Sequence, residues 1–352
     1  MNRRALKADF LLLLTAGIWG FGFVAQRSGL EYVGPFAFNG IRFILGSLFL
    51  LPLIIIIKRK ASLSGISSGT AGTIGFNKKF LLSSLAAGGC VFAGVILQQI
   101  GIMFTTAGNA GFITGLYVIL TPVFGIFLGR KSGRATWLGS VFTLAGLYFL
   151  CVASNSGSVN PGDIIIMVSA VFWAFHVLLI DRLVQGNNPV ALAAGQFAVC
   201  GALSLAGAFL AEPFIVPLVQ RFDPALLDAG LFDWRPLPSL LAGLLEKNIT
   251  FPAEALIPVL YGGICSVGIA YTLQVVAQRD APPAHATIIL CFEGCFAALG
   301  GVLLLSEPVG RWTLLGFFLM LAGMLVTQWE VVAKSREQIK KIKNRRARHF
   351  EG

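Results

Sequence analysis

The chain has 352 residues, 56% hydrophobic and 12% charged, against about 25% charged in a soluble domain. Its apolar residues run in stretches of about 20 rather than at a helical period of 3.6, which excludes a water-soluble fold and suits helices bathed in lipid. The net charge of +11 does not indicate nucleic acid. The basic residues form no stripe interleaved with aromatics; they cluster between apolar segments and in a C-terminal tail, where topology determinants lie.

Ten membrane-spanning segments are predicted, over residues 10–28, 35–57, 80–103, 106–128, 135–153, 163–183, 190–211, 256–277, 284–305 and 312–330. The basic start and apolar run of segment one look like a signal peptide. The same pattern recurs at 163, where no signal can act, so segment one is read as a retained helix. Residues 9–28, DFLLLLTAGIWGFGFVAQRS, match residues 163–182, DIIIMVSAVFWAFHVLLIDR: Asp9 falls on Asp163, Trp19 on Trp173, Phe21 on Phe175, and further on Arg42 falls on Gln196. Segments three and four recur in eight and nine, 176 residues on, with Gln98 on Gln274, Asn109 on His285 and Tyr117 on Glu293. Segments five and ten pair Leu144-Ala145-Gly146 with Leu321-Ala322-Gly323. The offset changes because loop 212–255 is 22 residues longer than its counterpart 58–79.

Each copy holds five segments, and five is odd, so the second copy must sit upside down. The expected fold is an all-α integral membrane protein of ten transmembrane helices in two inverted-topology five-helix repeats. Residues 1–153 form the first repeat, 154–333 the second with its long outer loop 212–255, and 334–352 a basic cytoplasmic tail. With both termini in the cytoplasm, 21 basic residues lie inside against 5 outside, Arg42 being within a segment, as the positive-inside rule asks. The tail either adheres to anionic lipid at about 1 kcal/mol per residue or only anchors the last segment. Within the outer loop, residues 237–247 read as an interfacial helix.

Polar residues inside segments are the informative ones, because lipid makes them costly. Arg42 lies seven residues into segment two, within reach of snorkelling. It either bonds helix carbonyls or snorkels outward, or offers a planar donor fork to an anionic group such as a substrate carboxylate. Glu293, near the middle of segment nine, is either a paired structural carboxyl or one that exchanges a proton or holds a substrate amine. His285, Ile289, Glu293 and Ala297 form one stripe, and Asn109, Ile113 and Tyr117 the matching one, so segments four and nine are expected to line a central cavity. Trp19 and Trp173 sit mid-segment, away from the usual interfacial belt, as packing or as cavity wall. His176 is either a proton relay or simply hydrogen-bonded. Gln98 and Gln274 either contact substrate or bridge helices. Gly111 and Gly115 form a GxxxG that allows close helix approach. The six cysteines read as small apolar residues, and no cofactor or metal is expected.

The chain resembles the drug/metabolite transporter superfamily, and within it proteins with two EamA-type repeats. The likeness rests on Trp19-Gly20, Arg42, the stretch LQQIGIMFTTAGNAGFITGLYVILTPVFG (97–125), Glu293 with its following small residues, Ser306-Glu307-Pro308, and LGFFLMLAGMLV (315–326). Such proteins commonly read Glu-Pro where this chain has Glu293-Gly294, and Glu at the end of segment four where Gly129-Arg130-Lys131 stand. The resemblance implies alternating-access efflux of small metabolites, often amino acids or related compounds, across a plasma membrane such as the bacterial inner membrane. Proton coupling is one option. An inverted repeat by itself points to a secondary transporter with its site near the midplane. No P-loop occurs, so ATP-driven pumping by this chain alone is unsupported. A non-transporting scaffold or receptor, and a lipid-modifying membrane enzyme, are the alternative readings; the latter lacks a visible nucleophile–base set.

Overall fold

The structure is a computed structural model that describes residues 3–63, 77–127, 133–149, 160–212, 214, 253–281, 283–323, 325, 326 and 329. The polybasic tail, the expected helix at 237–247 and Gly129-Arg130-Lys131 lie outside the described residues. Among the described residues the fold is helical throughout. In chain order the first eight helices are α1 (Arg3–Gly29), α2 (Pro35–Leu63), α3 (Lys78–Ile102), α4 (Ala107–Thr114), α5 (Tyr117–Phe127), α6 (Arg134–Tyr148), α7 (Pro161–Leu183) and α8 (Pro189–Leu210). Then come α9 (Ala253–Leu260), a π-helix (Tyr261–Tyr271), α10 (Thr272–Gln278), α11 (Pro283–Leu290), α12 (Glu293–Leu305) and α13 (Arg311–Gly323). Among the described residues seven helical stretches are long and apolar enough to cross a membrane, and 137–148, 293–305 and 311–323 are shorter apolar helices.

The sequence starts these helices with local signals. Asn77 accepts from Phe80 N at 2.8 Å to cap α3. Asn160 and Asn188 cap α7 and α8, each followed by a proline at the first helical position, where its missing N–H costs nothing. Segment six is therefore capped by Asn160, while Asp163 sits one turn in and accepts from Thr105 Oγ1 at 2.7 Å. The distribution of side chains inverts that of a soluble protein. Leu82, Phe127, Val141, Leu144 and Phe318 are exposed, while Gln99, Gln196, His176 and Glu293 are buried, because lipid solvates apolar groups and leaves polar ones to find partners inside.

Helix packing follows a paired pattern. α2 packs on α8 and α4 on α12; α3 packs on α7, and α1 on the π-helix and α10. α6 and α13 meet through the glycines that the sequence aligned. A methyl on Gly146 would lie 2.6 Å from Met320 Cγ, and one on Gly323 would lie 2.5 Å from Gly139 O.

Three segments expected as single α-helices are interrupted. Segment four divides into α4 and α5, and segment nine into α11 and α12. Around the first break Leu116 N bonds to Ile113 O, Val118 N to Gly115 O and Leu120 N to Leu116 O. Around the second Phe292 N bonds to Ile289 O, Gly294 N to Cys291 O and Phe296 N to Phe292 O. The two sets of bonds are the same at an offset of 176 residues. Each break is a turn tightened by two bonds that reach back three residues before the four-residue pattern resumes, and neither needs a proline. Segment eight passes through the π-helix, whose wider turns leave carbonyls open to side chains: Ser266 O accepts from Trp19 Nε1 at 3.2 Å and Ala270 O from Thr15 Oγ1 at 3.2 Å.

Candidate functional site

The breaks face a central cavity of about 40 Å³. A buried water needs roughly 10–15 Å³ on this measure, so the space as it stands holds a few waters and no metabolite. Arg42, Gln98, Tyr117, Trp173, Gln274 and Glu293 line it, with Trp19 beside them. Seven of the nine expected site residues are thus brought together.

Arg42 comes from α2 and is 3% exposed, so it does not snorkel to water. Its Nε donates to Asn39 Oδ1 at 2.8 Å and its Nη2 to Gln26 Oε1 at 3.2 Å. The guanidinium carbon lies 5.4 Å and 5.2 Å from the ring centroids of Phe38 and Phe43, within cation–π range. All these partners are neutral, and among the described residues no carboxylate pairs with it. The cavity therefore carries an uncompensated cation in a low-dielectric wall, which favours an anionic group.

Glu293 opens α12 at the second break and is 3% exposed. Tyr117 opens α5 at the first break, also buried. The two act on one another across the cavity, but fall outside hydrogen-bond geometry. Among the described residues neither Glu293 Oε1 nor the Tyr117 hydroxyl has a partner. Buried polar atoms are normally satisfied, and the nearest polar groups these two have are each other.

The two tryptophans do matching work. Trp19 Nε1 donates to Ser266 O, and Trp173 Nε1 donates to Gln98 Oε1 at 3.1 Å. The first bond ties α1 to the π-helix and the second ties α7 to α3.

Two expected residues stand elsewhere. Asn109 lines a separate cavity near the start of α4. The stripe through Asn109, Ile113 and Tyr117 presumed an unbroken helix, and the break at 115–116 interrupts it. His176 lies behind the cavity wall, its Nε2 3.0 Å from Gln196 Oε1 and its ring edge-on to Trp173 at 6.0 Å. The His285 side chain lies outside the described residues. The pair Gln196–His176 joins α8 to α7 through neutral groups, where Arg42–Gln26 joins α2 to α1 through a cation.

Sequence reasoning passed over Gln26, Ser266 and Tyr271, all of which line the cavity. Gln26 lies seven residues after Trp19 and Tyr271 three before Gln274, so helical spacing from residues already chosen would have found both. Ser266 carried no such signal, because its place depends on the π-helix.

A multi-pass helical membrane protein with two broken helices around a buried polar cavity is built to hold a small solute inside the bilayer. The match to the EamA-like transporter family covers residues 6–152 and 236–329, and the chain belongs to that family. An uncharacterized transporter of Archaeoglobus fulgidus is 28% identical over 93% of this chain and 88% of its own. The uncharacterized inner membrane transporter YedA of Escherichia coli K12 is 24% identical over 64% of this chain and 78% of its own. Human solute carrier family 35 member F6 is 26% identical over 43% and 40%. A solved crystal structure superposes with a TM-score of 0.59 at 18% identity, covering 94% of this chain and 98% of that one, a likeness of fold alone.

Proposed function

We propose that this membrane transporter is a secondary, alternating-access exporter of small polar metabolites bearing an anionic group, amino acids or related compounds among them. It has ten spans in two inverted repeats, with both termini in the cytoplasm of a bacterial inner membrane. The observation that carries the reading is the uncompensated Arg42 guanidinium facing the same cavity as the unpartnered Glu293 Oε1, at the break of one of two equivalent helices. Arg42 holds the anionic group. Glu293 takes the substrate amine or a proton. The matching hydrogen bonds at the two breaks and the paired packing of α2 on α8 and α4 on α12 support two copies of one unit. Two such units rocking about a shared site provide alternating access. The relatives named as transporters support a non-enzymatic role.

The test is flux of a labelled amino-acid and carboxylate panel into everted vesicles, with Arg42→Gln beside the parent chain. Accumulation of at least one anionic or zwitterionic solute that Arg42→Gln abolishes is expected. No accumulation across the panel, or the same accumulation in Arg42→Gln, contradicts the reading.

A further inference from the structure

The turn after α12 is built on Ser306, which stands in left-handed backbone at φ 53° and ψ 32°, a region that non-glycine residues enter only when held there. The N–H groups of Ser306 and Glu307 both close onto Gly301 O. This turn directs the Glu307 carboxylate onto the start of α4. Oε1 accepts from Ala107 N at 2.7 Å and Oε2 from Gly108 N at 3.2 Å. The first amides of a helix have no partner within it and carry its positive pole, so a carboxylate is the group best suited to fasten them. Gly301 leaves the space: a methyl there would stand 2.2 Å from Glu307 Oε2.

α4 has eight residues and separates two cavities. Its far end, at Thr114, lines the central cavity. Its near end, at Thr106, Gly108 and Asn109, lines a cavity of about 390 Å³ shared with Glu307 and Arg311. The half-helix is therefore jointed at the Gly115–Leu116 break and clasped at Ala107–Gly108 by a residue from the other half of the chain. The chain just ahead of α4 is fixed by Thr105 Oγ1 donating to Asp163 at 2.7 Å and Arg27 Nη1 donating to Met103 O at 3.0 Å, while Glu307 is what the other half of the chain puts on the first amides of α4 itself. A short element with a joint at one end and such a clasp at the other has the form of a hinged switch.

We propose that α4 is the gate between the central cavity and the membrane face that carries the 306–310 turn, hinged at Gly115–Leu116 and held shut by Glu307. This rests on the reading of the central cavity as the transport site. Releasing the clasp lets α4 swing about the break and joins the two cavities into one path.

The test uses the full chain in proteoliposomes with Thr114→Cys as reporter, its labelling by a membrane-impermeant thiol reagent measured over the chain without that substitution. Glu307→Gln weakens the clasp at constant size, and Gly301→Ala displaces the carboxylate without altering it. Both are expected to raise the Thr114→Cys labelling rate from the 306–310 side about tenfold, while Ser204→Cys, buried on α8, labels as slowly as before. Unchanged Thr114→Cys labelling in either variant, or an equal rise at Ser204→Cys, overturns the gate. Labelling requires no substrate. Unchanged labelling beside intact flux removes the gate and leaves the transport reading; absent flux beside raised labelling does the reverse.

Discussion

Tyr117 and Glu293 are the first residues after the breaks in two equivalent helices, and they face each other across the central cavity. The first break thus presents a phenol to the cavity and the second a carboxyl. The two breaks are alike in backbone hydrogen bonding and unlike in the side chain they present.

Arg42→Gln separates binding from folding. Glutamine is the residue that the second copy carries at the equivalent position, and it can still bond Asn39 and Gln26. Its melting temperature should stay within a few degrees of the parent. A charge-assisted bond contributes about 1.5–3 kcal/mol, so flux of an anionic solute should fall at least about tenfold. Thermal melting and initial rates of flux, measured on the same preparation, check this.

The Gly146 and Gly323 contacts predict a packing cost at both members of the pair. Overpacking typically costs about 1–3 kcal/mol, so Gly146→Ala and Gly323→Ala should each lower resistance to denaturation by about that much. At Gly89 nothing lies within 4 Å of an added methyl, so Gly89→Ala should not lower it. Unfolding titrations in detergent micelles, run on the three variants side by side, measure the difference.

Trp19→Phe and Trp173→Phe remove one bond each between the two halves. Interhelical bonds in membranes average about 0.6 kcal/mol, and phenylalanine keeps most of the packing area. Each variant should fold, with stability reduced by about that amount in the same titrations. A loss of several kcal/mol would mean that the indole also fills space no phenyl can.

Most of the polar residues that line the cavity were legible in the sequence, because lipid makes every polar residue in a span conspicuous. Arg42, Gln98, Gln274 and Glu293 stood out for that reason alone. The breaks were hidden. Their turns are made by residues such as Gly115, Leu116, Cys291 and Phe292 that also occur within continuous membrane helices, and Glu293-Gly294 offered no proline to mark one. Asn109 was misplaced from the cavity by the same omission, since a stripe drawn on an unbroken helix runs straight through the joint. The π-helix escaped too, as no composition signals a widened turn, and Ser266 went with it. Glu307 was noticed as part of Ser306-Glu307-Pro308, but its partners, Ala107 and Gly108, lie about 200 residues earlier and only folding brings them to it.

The reading we propose centres on the two breaks as one transport site, and of the two roles proposed for Glu293 it is proton exchange, rather than holding a substrate amine, that a pH gradient tests. The most direct measurement is solute flux in proteoliposomes with and without an imposed pH gradient, for the parent chain and for Glu293→Gln. The parent should show flux that the gradient accelerates, and Glu293→Gln should fold, still exchange solute, and ignore the gradient. Equal gradient dependence in both would contradict the account.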